Sequence, residues 1–186
     1  MSSSEFQPNI AALIVDVQVA AVTEGLYQGE TALANMAEVI KACRKNRVEV
    51  IFVQHEDAEG DYVRHSEGWL IHPAVAPQPS ETIIHKKFNS AFRGTDLRSY
   101  LDQRNIETLI LMGLHTEYCF DTTCRVAFEY GFSILIPELT NTTADNGPLK
   151  GKDIYEFYNH RIFDGRFAKL LPVNEIIEDI RGENYP

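Results

Sequence analysis

The sequence predicts a three-layer α/β/α domain built on a doubly wound, six-stranded parallel sheet. Three observations carry that reading: short runs rich in Ile, Val and Leu, longer amphipathic segments between them, and regular alternation of the two along 186 residues. The short runs are apolar on both faces. Strands covered by helices on each side bury both faces, so they lose the in-out alternation of a half-solvated sheet.

The first strand is Ile10-Ala-Ala-Leu-Ile-Val15. Leu33, Met36, Ala37, Ile40 and Cys43 then follow i, i+3, i+4 spacing. This places a helix with one buried face and gives Cys43 a packing role. Val48 to Val53 is the second strand. From Glu56 to Ser80 no regular pattern holds, and Gly60, Gly68, Pro73, Pro77 and Pro79 interrupt any element. A loop of that length inside a compact domain is functional or disordered. Its Tyr62, His65, Trp69 and His72 suit the ordered wall of a pocket; a surface excursion packed by its own side chains is the alternative. Thr82 to His85 is a short third strand, and Leu97, Tyr100 and Leu101 mark a helix ending near Arg104-Asn105. The fourth strand, Thr108 to Met112, leads to a helix from Phe120 to Tyr130, closed by Gly131, whose missing Cβ permits the left-handed conformation that ends many helices. Phe132 to Ile136 is the fifth strand and Phe167 to Leu171 the sixth, with helices at Ile154 to Phe163 and Glu175 to Ile180. Length fits one core, and no linker or repeat divides it, so residues 1–186 read as a single domain.

Composition narrows the function classes. With 17 basic and 27 acidic residues the formal charge is −10, which disfavours a nucleic-acid or anionic-membrane partner. No stretch has the length of a membrane span, and the polar N-terminus has neither a basic n-region nor an apolar h-region. The expectation is a cytoplasmic protein. Three cysteines without CxxC spacing argue for reduced thiols, against both a disulfide framework and a structural zinc. No GxGxxG follows the first strand and Gly147-Pro-Leu-Lys-Gly-Lys152 is not a P-loop, so no cofactor is expected.

The chemistry concentrates where strands end, since ligands of open α/β sheets bind beyond the carboxyl ends of the strands. The first strand ends in Asp16-Val-Gln18, the second in Gln54-His55-Glu56-Asp57, the third in His85-Lys86-Lys87, and the fourth at Gly113, leading to Cys119. Cys119 falls at a strand-to-helix junction, where unpaired N–H groups and the helix dipole favour thiolate. At this point it is either a nucleophile or a buried, inert thiol. A carboxylate, an ammonium and a thiol at one sheet edge supply a base, a cation and a nucleophile. Cys124 lies five positions further on, roughly 140° around the helix, and is assigned to the core.

Asp16 in "LIVDVQ", Lys86 in "IIHKKFNSAFRGTDL" and Cys119 in "LILMGLHTEYCFDTTCRVAFEYGF" resemble the Asp-Lys-Cys triad of the isochorismatase-like cysteine hydrolases, which include nicotinamidases and N-carbamoylsarcosine amidases. The resemblance runs from about Ala11 to Ile136. Lys86, rather than Lys87, aligns with the family lysine by its six-residue distance to Phe92. The resemblance implies sheet order 3-2-1-4-5-6 and a homo-oligomer. It also implies a cis peptide joining Leu114 and His115, with the N–H groups of His115 and Cys119 forming an oxyanion hole. The implied activity is hydrolysis of a carbon-nitrogen bond in a small amide or ureido substrate through a thioester. Substrate contacts are expected from Gln18, His55, Trp69, Phe92 and Thr116.

Departures from the pattern matter as well. Many relatives follow Asp-x-Gln with Asn-x-Phe, whereas this chain has Val19-Ala-Ala21; metal-binding nicotinamidases carry Asp-x-His where this chain has His55-Glu-Asp57. The expectation is therefore no metal, although histidines 55, 65, 72 and 85 are the residues that would have to collect to hold one. Two other readings stay open: an isochorismatase-type vinyl-ether hydrolase, which needs no cysteine nucleophile, and a catalytically silent binding or scaffold protein on the same fold.

Overall fold

A computed structural model describes residues 9–182. Its strands are β1 (Ile10–Val15), β2 (Glu49–His55), β3 (Thr82–Lys86), β4 (Thr108–Leu114), β5 (Ser133–Pro137), β6 (Asn141–Thr142) and β7 (Lys169–Leu171). Its helices are α1 (Gly29–Lys45), α2 (Leu97–Gln103), α3 (Asp121–Glu129), α4 (Gly151–Phe157) and α5 (Val173–Arg181). The sheet runs β3-β2-β1-β4-β5-β7 with every pair parallel, and β6 pairs beside the end of β4. This is the expected order, with β7 as its sixth strand. The two-residue β6 is an addition: Asn-Thr carries no apolar signal of a strand.

Both faces of the sheet are covered, as the uniformly apolar runs require. Along β1, Ala12 and Ile14 join one buried cluster with Met36, Val39, Ile40 and Cys43 of α1 and Ile176 and Ile180 of α5. Ala11, Leu13 and Val15 join the other, with Leu97 and Leu101 of α2 and Cys124 and Ala127 of α3. Each fully buried Leu or Ile contributes about 1.5–3 kcal/mol relative to exposure. Cys43 and Cys124 are thus packing residues on opposite faces of the sheet.

Three local differences from the sequence reading have physical causes. β7 starts at Lys169, not Phe167, because the N–H groups of Arg166, Phe167 and Ala168 all turn back to the Phe163 carbonyl. The chain from Glu56 to Ser80 is tied down: Gln18 bridges Ile71, Asp57 bridges Val63, and a single 3₁₀ turn at Pro73–Val75 is capped by the His72 ring. Lastly, a π-helical turn at Thr116–Phe120 precedes α3 without a break, and another at Tyr158–Phe163 extends α4. Among the described residues no helix is long and apolar enough to cross a membrane.

The strand order reverses around β1, which lies between β2 and β4. Gly113 permits the close approach there. Its φ is +141°, and a Cβ at that position would stand 2.1 Å from the Val15 carbonyl oxygen, so only glycine lets β4 pass beside the end of β1.

Candidate active site

Asp16 follows β1 directly and takes a left-handed backbone, φ +53°, with its N–H donated to the Val53 carbonyl. Lys86 is the last residue of β3, in register with His55 at the end of β2. Cys119 sits in the π-helical turn that follows β4. The order β3-β2-β1-β4 therefore delivers an ammonium, an imidazole, a carboxylate and a thiol to one edge. Lys86 Nζ lies 2.5 Å from Asp16 Oδ2, 3.2 Å from Cys119 Sγ, 3.0 Å from the Phe88 carbonyl and 3.3 Å from His55 Nδ1. The Lys86 side chain is wholly buried, whereas Lys87 points to solvent, 72% exposed, near Glu56.

Burial sets the protonation in this cluster. It raises the Asp16 carboxyl above its usual range, against the lowering pull of Lys86 and of a hydrogen bond with Cys119. It also pushes the Cys119 thiol up to about 12, reinforced by Asp16 and opposed by Lys86. The resting sulfur is therefore a thiol, not the thiolate expected at a helix start, because a helix dipole is worth only about 0.3–1 kcal/mol against desolvation. Passing the proton from sulfur to Asp16 leaves one cation and one anion in the site, as before. Such a transfer adds no net buried charge, and Lys86 touches both ends of it.

Two imidazoles flank the cluster in defined states. His115 Nε2 is 3.1 Å from the Ala21 carbonyl, which only accepts, so that nitrogen carries the proton. Burial lowers the pKa of this ring, which holds it neutral. His55 Nδ1 faces the Lys86 ammonium, which only donates, while its Nε2 lies 3.0 Å from Asp57 Oδ1. The His55 proton thus sits on Nε2 and is directed to Asp57.

Asp16, Ala21, His55, Tyr62, Asn89, Leu114, His115, Tyr118 and Cys119 line one cavity of about 230 Å³. That is smaller than the roughly 300–1,000 Å³ of pockets that enclose drug-sized ligands. The bond between Leu114 and His115 is cis, and both residues border the cavity beside Cys119.

Of the expected substrate contacts, His55 alone lines this cavity. Gln18 spends its amide inside the protein: it donates to the carbonyls of His55 and Trp69 and accepts from the His55 N–H. Trp69 packs between His65 and His85. Phe92 lies in the core against Tyr130 and Phe132. Thr116 is fully buried and donates to Asn141 Oδ1. These four correct the sequence reading: a place in the loops and turns around the strand ends does not decide which way a side chain points. The histidines also separate, with His72 capping a turn and His65 and His85 on Trp69. Among the described residues, no three His, Cys, Asp or Glu side chains form a group that could hold a metal ion.

Sequence reasoning missed Asn89 and Tyr118 in the cavity wall, and the buried pair behind it. Asn141 and Asn159 exchange side-chain hydrogen bonds at 2.8 and 3.0 Å, and Thr116 joins them, anchoring the turn that bears Cys119 to the π-helical turn that follows α4. Two asparagines 18 residues apart announce nothing in sequence. Only their full burial, in a region where unpaired amides are costly, identifies them.

Comparison with known proteins agrees with this geometry. Residues 11–146 match the isochorismatase domain. The chain is 30% identical over 179 residues to the uncharacterized isochorismatase family protein YrdC of Bacillus subtilis, covering 91% of this chain and 95% of that one. It is 26% identical to the ureidoacrylate amidohydrolase RutB of Agrobacterium fabrum, over 70% of this chain and 75% of the relative. A crystal structure of an isochorismatase family protein superposes with a TM-score of 0.83 at 31% identity, covering 90% of this chain and 99% of the other. Fold, strand order and family match converge: the chain belongs to the isochorismatase family of hydrolases.

Proposed function

We propose that this chain is a cysteine amidase that hydrolyses the carbon-nitrogen bond of a small amide or ureido compound through a thioester on Cys119. The observation that carries the reading is the ammonium of Lys86, buried beneath one small cavity and in contact with both Asp16 Oδ2 and Cys119 Sγ, which line it. An amidohydrolase among the relatives supports it.

Asp16 takes the thiol proton and the sulfur attacks the carbonyl carbon, while Lys86 holds the developing thiolate. The N–H groups of His115 and Cys119 receive the oxyanion. Protonated Asp16 then gives its proton to the departing nitrogen, the carbon-nitrogen bond breaks, and ammonia or an amine leaves an acyl thioester. A water loses a proton to Asp16 and attacks the thioester; the carbon-sulfur bond breaks, sulfur regains its proton, and the acid departs. The raised pKa of Asp16 suits a group that must both take and give a proton near neutral pH. Ammonia release from a panel of small amides, with Cys119→Ala as control, tests the reading. Hydrolysis that survives the substitution excludes the thioester route and favours vinyl-ether chemistry.

A further inference from the structure

The cavity wall carries a statement about substrate charge. Its nine lining residues include no arginine and no lysine. The one cation beneath it, Lys86, is already committed to Asp16 at 2.5 Å and has no exposed side-chain surface. Both lining imidazoles have their ring protons engaged, His115 with the Ala21 carbonyl and His55 with Asp57. A negatively charged ligand group would find no unpaired positive partner among these residues.

Charges just outside the wall point the same way. Burial raises the Tyr62 hydroxyl to about 12, and the carboxylates of Asp61 and Asp57, which lie outside the lining, reinforce this. Glu117 adjoins Tyr118 at the other side, within reach of Asn146. Basic side chains on the neighbouring loops have partners of their own: Arg64 and Lys87 approach Glu56 at 3.8 and 3.7 Å, Lys150 pairs with Asp145, and Arg93 stacks on the Phe88 ring. The chain's excess of 27 acidic over 17 basic residues adds a long-range field of the same sign.

What remains is a wall of Ala21, Leu114 and the rings of Tyr62, Tyr118 and His115, with the Asn89 amide as a neutral polar contact. We infer that the substrate is a small uncharged amide, and that the cavity selects against carboxylate-bearing analogues. The inference rests on the amidase reading for the word amide, but the charge selection belongs to the cavity itself. It separates this chain from a relative whose name specifies ureidoacrylate, a substrate with a carboxylate.

Cys119 reports the selection directly through its own alkylation. The full-length protein is treated with iodoacetamide or with iodoacetate, two reagents of nearly equal size that differ in charge, and modification of the Cys119 peptide is followed by mass spectrometry. Cys43 and Cys124 are fully buried and serve as internal references. The ratio of the two rate constants is divided by the same ratio for 2-mercaptoethanol. A normalised preference of about tenfold or more for the neutral reagent is expected, the size that one unsatisfied charge contact readily gives. A preference below threefold overturns the inference. So does failure of both reagents to reach Cys119, because the cavity would then admit no small probe of either charge. Failure of the amidase reading looks different: the neutral reagent is preferred, yet no amide on the panel releases ammonia.

Discussion

Replacing Lys86 by methionine removes the only cation in the buried cluster while keeping a side chain of similar length. Four acceptors lose their donor at once: the Asp16 carboxylate, the Cys119 sulfur, the Phe88 carbonyl and His55 Nδ1. Breaking a buried ion pair by deleting one partner costs about 3–5 kcal/mol, because an uncompensated charge is left behind. Asp16 can escape that cost by taking up a proton. Its carboxyl is already raised by burial, and losing Lys86 removes the main influence that lowers it. A carboxyl whose folded pKa lies above its unfolded one contributes stability that is fully present below the unfolded pKa and is lost as pH rises through the folded pKa. Lys86→Met should therefore be destabilised by about 3–5 kcal/mol at pH 8, shrinking by up to about 1.4 kcal/mol per pH unit as pH falls through the Asp16 pKa. For a domain of this size that is a fall in Tm of roughly 6–20 °C at pH 8. Urea titrations of both proteins between pH 5 and pH 8 give the difference, with unchanged slope showing that both unfold the same structure. A loss below about 1 kcal/mol at pH 8 with no pH trend would refute the buried pair as described.

Two further outcomes follow from the site. The acid limb of the activity profile should lie above the ordinary carboxylate range near 4, since Asp16 must be ionised to receive the thiol proton and burial raises its pKa; a limb at or below 4 in kcat/KM, or one unchanged in Asp16→Asn, contradicts the assignment. Gly113→Ala should lower stability by at least about 3 kcal/mol in denaturant titration, because its Cβ would meet the Val15 backbone at 2.1 Å and the residue holds φ +141°; a variant within 1 kcal/mol of the parent would show that β4 can withdraw from β1 without loss.

Most of the fold was legible because burial on both faces leaves an unmistakable pattern: β1 was read to the residue, and β2, β3, β4 and β5 within one or two residues. β7 was overextended because Phe167 and Ala168 are apolar yet fold into a turn on Phe163. β6 escaped because its two polar residues pair only at the tip of β4. For the site, the residues whose chemistry is intrinsic, Asp16, Lys86 and Cys119, are brought together, since strand topology alone carries them to one edge. Gln18, Trp69, Phe92 and Thr116 were misplaced because their orientation depends on contacts 16 to 51 residues distant that no local pattern encodes; Gln18, for example, is consumed by the backbone of His55 and Trp69. The thiol's state was misjudged for a related reason. Helix position can be read from sequence, whereas depth of burial, which here outweighs it, cannot.

The central claim is that the sulfur of Cys119 forms the bond that opens the substrate. Ammonia release from small uncharged amides, compared between the parent chain and Cys119→Ala, tests this most directly. Turnover by the parent is expected, with a loss of at least about 10³-fold in the variant, whose fold should persist because only one sulfur is removed. Equal ammonia release by the two proteins would contradict it.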